Sequence, residues 1–364
     1  MNKEIGTGDL TGRFVLNLGM NLTSLLAVGI IGLLMVPFYI DSLGIASYGI
    51  IPVCVSVAGY VAVVCDAASN SVFRYLSVPL RIGDREKAEK VYSTAFGGMA
   101  FSVAVLIPAV LIVSYLSVSM FDVGGNDATS VRLLFLGVLG SVLITLLGNT
   151  YGSVLMSCNR LDLQSMVRIV QTVCQAAIIV ITFDIGSTSV QWIGAAYAVT
   201  ATGCVLLAYL ASRSVCPFLH LHIHDFSLQE AKKILGIESW NLVNMAGNLF
   251  FLQMCLILAN VLYGSIEAGI LSVAISLVSM MVSLTAAVSS AFAPIMMVRF
   301  SENGTDAVNR LCISAVKITG LTVAPFIAYI CVFSTQILKT WVGDGFGLEN
   351  ILLIMLLFMT FSNL

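Results

Sequence analysis

Residues 14–40 read Phe14-Val-Leu-Asn17-Leu-Gly-Met-Asn21-Leu-Thr-Ser-Leu-Leu-Ala-Val-Gly-Ile-Ile-Gly-Leu-Leu-Met-Val-Pro37-Phe-Tyr-Ile40. None of them is charged, and a helix needs only about 20 mainly apolar residues to cross a bilayer. The run is too long for the apolar core of a signal peptide, and no small-residue cleavage site follows it. It is therefore expected to remain as a first membrane span.

The rest of the chain repeats this pattern. Of its 364 residues 59% are hydrophobic and 10% charged, and the mean hydropathy is +1.00. A soluble domain carries about 25% charged residues, so a water-solvated enzyme is the wrong class. The net charge of −2 supplies no basic field for nucleic acid. Nine full spans are expected, at 14–40, 49–70, 91–118, 131–156, 163–185, 191–211, 238–262, 267–293 and 312–334, with part of a tenth at 350–364. Membrane barrels show alternating segments of about 10 residues instead. The expected fold class is thus an all-α polytopic membrane protein.

Charge sets the expected orientation. With the N-terminus in the cytoplasm, only Arg132 and Lys339 of the 17 lysines and arginines fall outside, as the positive-inside rule requires. The outer loops carry Asp122, Asp127 and Asp184 instead. The longest inner connections, around Arg74 to Lys90 and Ser212 to Ile237, are expected to be loops holding short helices. Asp84 would cap one, and Ser227-Leu-Gln-Glu230 with Gly236 would frame another. Such loops leave no room for a catalytic domain, so an enzyme such as a membrane glycosyl polymerase ranks last.

An internal duplication organises the chain. Asn17-Leu-Gly-Met-Asn21-Leu22 in the first span matches Asn244-Met-Ala-Gly-Asn248-Leu249 in the seventh. Then follow the outer turns Gly44-Ile-Ala-Ser-Tyr-Gly49 and Gly264-Ser-Ile-Glu-Ala-Gly269, the inner glycine turns Gly83-Asp84 and Gly304-Thr305, and Pro108 and Pro325 in the third and ninth spans. Six spans separate the copies, so the halves run parallel, an arrangement found in transporters that move substrate between two lobes. The expected division is a six-helix lobe at 1–225 and a second lobe at 226–364. A complete second lobe needs six spans, so the chain is expected to be a fragment.

A polar group in hydrocarbon is costly unless paired, and a charge at mid-bilayer costs about 2.5–3.5 kcal/mol on insertion scales. Polar residues inside spans therefore mark either helix contacts or a wet cavity. Asn17 and Asn21 share a helix face, as do Asn244 and Asn248. Gln164, Arg168, Gln171 and Gln175 form one stripe of the fifth span. Arg168 offers a planar donor fork suited to a pyrophosphate, and Lys317 sits one to two turns into the ninth span. These residues are candidates for substrate binding, against the alternatives of interhelical hydrogen bonding and snorkelling. Asp66, Asn70 and Arg74 follow one another at four-residue spacing and are candidates for gating or cation coupling, against that of an inner anchor with its local partner.

The nine cysteines form no CxxC pair and are expected to be small core hydrophobes. His220, His222 and His224 lack a fourth well-spaced ligand and are expected in a solvated linker. No metal or cofactor is expected.

The chain resembles the polysaccharide flippases of the multidrug/oligosaccharidyl-lipid/polysaccharide exporter superfamily, which include O-antigen repeat-unit flippases. The likeness rests on the short polar N-terminus before the first span and the turn Leu43-Gly44-Ile-Ala-Ser-Tyr48-Gly49. It also rests on Asp66 ahead of Arg74 and on the basic stretch Arg81-Ile-Gly-Asp-Arg-Glu-Lys-Ala-Glu. The resemblance implies a carrier in the bacterial cytoplasmic membrane that turns over an undecaprenyl-pyrophosphate-linked oligosaccharide from inner to outer leaflet. A polysaccharide polymerase would act on the product outside, membrane lipids would surround the carrier, and a coupling cation is a further implied partner. The alternative within the superfamily is a cation-coupled multidrug exporter.

Overall fold

The computed structural model describes residues 7–186, 188–219, 221, 247, 253–290, 293–343 and 354–355. Among the described residues, eight helices are long and apolar enough to cross a membrane. In chain order the described helices are α1 (Thr7–Leu43), α2 (Ile45–Tyr48), α3 (Ile50–Ile82), α4 (Arg85–Met120), α5 (Ala128–Ser157), α6 (Leu161–Ile185) and α7 (Gln191–Val215). Then come α8 (Gln253–Tyr263), α9 (Ser265–Ser290), α10 (Ala293–Val332) and α11 (Ser334–Trp341). The expected span at 238–262 is described from Gln253 onward, and that at 350–364 lies almost wholly outside the described residues.

Helix lengths depart from the expected spans on one side of the bundle. Residues 74–90 are not a loop with separate short helices: α3 runs on to Ile82 and α4 starts at Arg85. At about 1.5 Å per residue each helix is roughly 50 Å long, well beyond a bilayer core of about 30 Å. Hydropathy marks where the lipid ends, whereas the helix ends where its hydrogen bonding is interrupted. That happens at Gly83, which adopts the left-handed φ of 83° and donates its N–H to the Pro79 carbonyl. The Asp84 carboxylate then accepts from the Lys87 N–H at 3.1 Å, capping α4 as expected.

The matching Gly304-Thr305 makes no turn and lies inside the continuous α10. A lone glycine costs a helix only about 1 kcal/mol, and here no capping aspartate follows it directly. Other parts of the duplication do correspond. Gly44 and Gly264 both take positive φ, 80° and 101°, immediately before a helix, and Pro108 and Pro325 both lie within helices.

The chain divides into two compact units, one of Met1–Ser24 with Ser42–Gly269, the other of Leu25–Asp41 with Ile270–Leu364. In the first, α5 is the central helix, packed on α3, α4, α6 and α7. Phe135, Leu134, Leu139, Leu146 and Leu155 of α5 are all fully buried. Between helices in lipid there is little hydrophobic gain, and close van der Waals approach does the work. Gly137 on α5 and Gly194 on α7 meet backbone to backbone, leaving no space for a Cβ on either.

In the second unit, the indole N–H of Trp341 donates to the Leu33 carbonyl at 2.9 Å. The Tyr329 and Phe333 rings pack 4.8 Å apart between centroids.

Candidate functional site

The turn from α5 to α6 is held by Asn17. Asn159 closes α5 in the left-handed region, φ 56°, a conformation that asparagine tolerates better than most residues. The Asn17 amide donates to the Asn159 carbonyl at 3.2 Å and to its side-chain oxygen at 3.1 Å. Its own oxygen accepts from the Asp162 backbone N–H at 3.1 Å. Arg160 and Asp162 pair at 3.0 Å beside it, with the carboxylate in the first turn of α6, where a negative charge suits the helix dipole. Asn17 is 6% exposed, and its polar atoms are occupied by the chain itself.

One turn along α1, Asn21 faces a cavity of about 530 Å³ walled by α5, α6 and α7. The α5 wall provides Thr145, Asn149 and Met156, α6 provides Gln164, Ser165, Arg168 and Gln171, and α7 provides Ala201, Cys204 and Ala208. The volume lies in the range of small-molecule sites, about 300–1,000 Å³. Among the described lining residues the polar inventory is four carboxamides, two hydroxyls and one guanidinium, with no carboxylate. The Arg168 carbonyl accepts from the Thr172 hydroxyl at 3.1 Å, and its guanidinium makes no hydrogen bond or ion pair among the described residues. The described surface offers N–H donors to an anionic or hydroxyl-rich ligand.

The structure thus brings Asn21, Arg168 and Gln171 together in one cavity. Gln175, a turn beyond Gln171, is not among the lining residues, and Asn17 serves the α5–α6 turn. Lys317 is exposed on α10, in the other unit. Asn244 and Asn248 lie outside the described residues, as do His220, His222, His224 and the Ser227–Glu230 segment. Asp66 falls on α3 with its side chain outside the description, and Asn70 and Arg74 are exposed on the same helix. Asn149, Ser165 and Thr145 were not among the sequence candidates. The Asn149-Thr150 pair within an otherwise apolar span was the available signal for the first of these.

Basic and aromatic residues gather where α7 ends. Arg213 donates to the Leu219 carbonyl at 3.1 Å and to the Pro217 carbonyl at 3.3 Å, supplying donors just past a helix C-terminus. The Arg85 guanidinium lies 5.1 Å from the centre of the Phe218 ring. On the opposite side Arg132 lies 4.6 Å above Tyr115.

No family model matches the chain. A curated relative, the uncharacterized membrane protein EpsK of Bacillus subtilis (strain 168), is 27% identical over 338 residues, 92% of this chain and 66% of the relative. The chain therefore spans just under two thirds of that relative's length. Among solved structures, the inward-facing conformation of a multidrug resistance MATE family transporter of the MOP superfamily aligns at a TM-score of 0.70. The match has 15% identity and covers 96% of this chain and 81% of that one. The outward-facing conformation aligns at 0.66 and 13% identity, over 95% and 78%. The MATE multidrug transporter DinF-BH in complex with R6G aligns at 0.68 and 13% identity, over 93% and 77%. The chain is a multi-pass membrane protein with the fold of these MATE transporters, and its described residues are overwhelmingly helical.

Proposed function

We propose that the chain is part of a membrane carrier that moves a polyprenyl-pyrophosphate-linked oligosaccharide across the bacterial cytoplasmic membrane by alternating access. The observation that carries this reading is the α5–α6–α7 cavity, which combines the Arg168 guanidinium and four carboxamides, with no carboxylate among its described lining residues. A diphosphate pairs with a planar donor fork, and sugar hydroxyls both donate to and accept from amides. Asn21, Arg168 and Gln171 would contact the diphosphate and the adjoining sugar while the polyprenyl chain stays in lipid. Asn244, Asn248 and Lys317 would supply the equivalent surface in the second lobe, within the proposed division at 1–225 and 226–364. Asp66, Asn70 and Arg74 would gate the path or couple it to a cation. The cytoplasmic N-terminus, and a polysaccharide polymerase as the next protein to meet the substrate, belong to the same proposal.

The second reading, a cation-coupled multidrug exporter, is favoured by the fold, since the solved structures it matches are multidrug transporters. Against it, a lipophilic cation would meet Arg168 without a carboxylate among the described lining residues. Deleting the gene separates the two. The flippase reading expects lipid-linked repeat units to accumulate on the inner leaflet while surface polysaccharide is lost. Normal polysaccharide together with a gain in sensitivity to organic cations would overturn it.

A further inference from the structure

Two thiols meet where α5 and α7 end. The Cys158 N–H closes α5 on the Val154 carbonyl at 3.0 Å, and the Cys216 N–H closes α7 on the Ser212 carbonyl at 2.8 Å. These caps fix both backbones, and the two Sγ atoms stand 2.9 Å apart. Both cysteines are free. Cys216 is buried with Leu76, Tyr92, Val154 and Leu219, and the more open Cys158 packs against the edge of the same cluster. The thiol hydrogen bond lowers the Cys158 pKa and raises that of Cys216. The pair therefore holds one sulfur disposed to ionise beside one that keeps its proton, as thiol–disulfide chemistry needs.

We propose that Cys158 and Cys216 form a reversible redox site that takes up a hydroperoxide and becomes a disulfide. The Cys158 thiolate attacks a peroxide oxygen, the O–O bond breaks, and the released hydroxide takes the thiol's proton to leave as water. The Cys216 sulfur then displaces the hydroxyl of the Cys158 sulfenic acid, and that hydroxyl leaves with the Cys216 proton as a second water. Two thiols are oxidised and one hydrogen peroxide is reduced to two waters. The new bond joins residues 58 positions apart and closes a loop of chain that contains the whole of α6, and with it Arg168. It ties together two helices that wall the cavity, just beyond Met156 on α5 and two turns beyond Ala208 on α7. The expectation that the cysteines are small core hydrophobes holds for the buried Cys54, Cys204 and Cys216 and fails for Cys174 and Cys255, which are exposed.

The test is peroxide titration of the purified full chain in lipid nanodiscs, followed by alkylation, digestion and mass spectrometry. Hydrogen peroxide should yield one cross-linked peptide joining Cys158 to Cys216, two hydrogens lighter than the thiol forms, restored by dithiothreitol and absent from C158S and C216S. Should the serine variants fail to fold, phenylarsine oxide on the unaltered protein provides a second measurement, since a vicinal dithiol should be protected at both cysteines at once. The proposal is overturned if peroxide modifies the exposed Cys174 and Cys255 while Cys158 and Cys216 stay alkylatable. It is equally overturned if Cys158 proceeds to sulfinic acid without a cross-link, or if the arsenical protects neither.

Discussion

The Asn260 carboxamide and the Asp122 backbone exchange a matched pair of hydrogen bonds. The Asp122 N–H donates to the Asn260 side-chain oxygen at 2.9 Å, and the Asn260 amide donates to the Asp122 carbonyl at 3.1 Å. A side chain from α8 thus stands in for a neighbouring strand at the end of α4. The Asp122 carboxylate in turn accepts from the Ser265 N–H at 2.7 Å, and the Ser265 hydroxyl donates to the Ala46 carbonyl at 2.6 Å. Residues far apart in sequence are joined through one aspartate.

Replacing Asn260 by leucine keeps the volume and removes both bonds. Asn260 is 1% exposed, so the two Asp122 groups would be left without replacement partners, at about 1–3 kcal/mol each. N260L is expected to lower the thermal unfolding midpoint of the purified protein by several degrees. A midpoint equal to wild type would mean that the pair adds nothing to stability.

The same cluster distinguishes two adjacent glycines. Gly124 and Gly125 both have positive φ, 58° and 79°. A Cβ on Gly124 would run into the Ala46 carbonyl, whereas one on Gly125 meets open space. G125A should carry only the left-handed strain of about 1–2 kcal/mol, and G124A should add a backbone clash. Size-exclusion profiles of fluorescently tagged variants should show G124A losing much more folded protein than G125A; equal losses would contradict the close approach.

Asn17 and Asn21 share a helix face and differ in what they meet. N17A should destabilise the protein by about 1–3 kcal/mol, because the Asp162 N–H and Asn159 lose their buried partner. N21A should leave the unfolding midpoint within a degree or two and weaken ligand binding instead. Measuring midpoint and affinity on both variants checks the division of roles, which fails if N17A alters affinity alone.

Helical spacing made the shared face of Asn17 and Asn21 legible, but their partners were not, since Asn159 lies 142 residues away and only folding brings it near. The spans themselves were readable because lipid imposes one length and one composition. The continuation of α3 and α4 past the apolar stretch was not, because helix formers do not need lipid to stay helical. Of the stripe Gln164, Arg168, Gln171 and Gln175, the periodicity placed all four on one face, and the cavity takes the first three. Asp122 and Asn260 could be placed only as an outer-loop carboxylate and an amide within an apolar run. Their pairing is a tertiary fact with no local pattern.

The most direct test of the proposed substrate chemistry is the affinity of the full chain, in nanodiscs, for a short-chain polyprenyl diphosphate bearing a disaccharide, compared between wild type and R168Q. A charged hydrogen bond is worth about 1.5–3 kcal/mol, and each 1.4 kcal/mol is tenfold. R168Q should therefore bind roughly 10- to 100-fold more weakly, with an unchanged unfolding midpoint. Equal affinity in the two proteins, or tight binding of a lipophilic cation where the diphosphate does not bind, would contradict the assignment of this cavity to a lipid-linked saccharide.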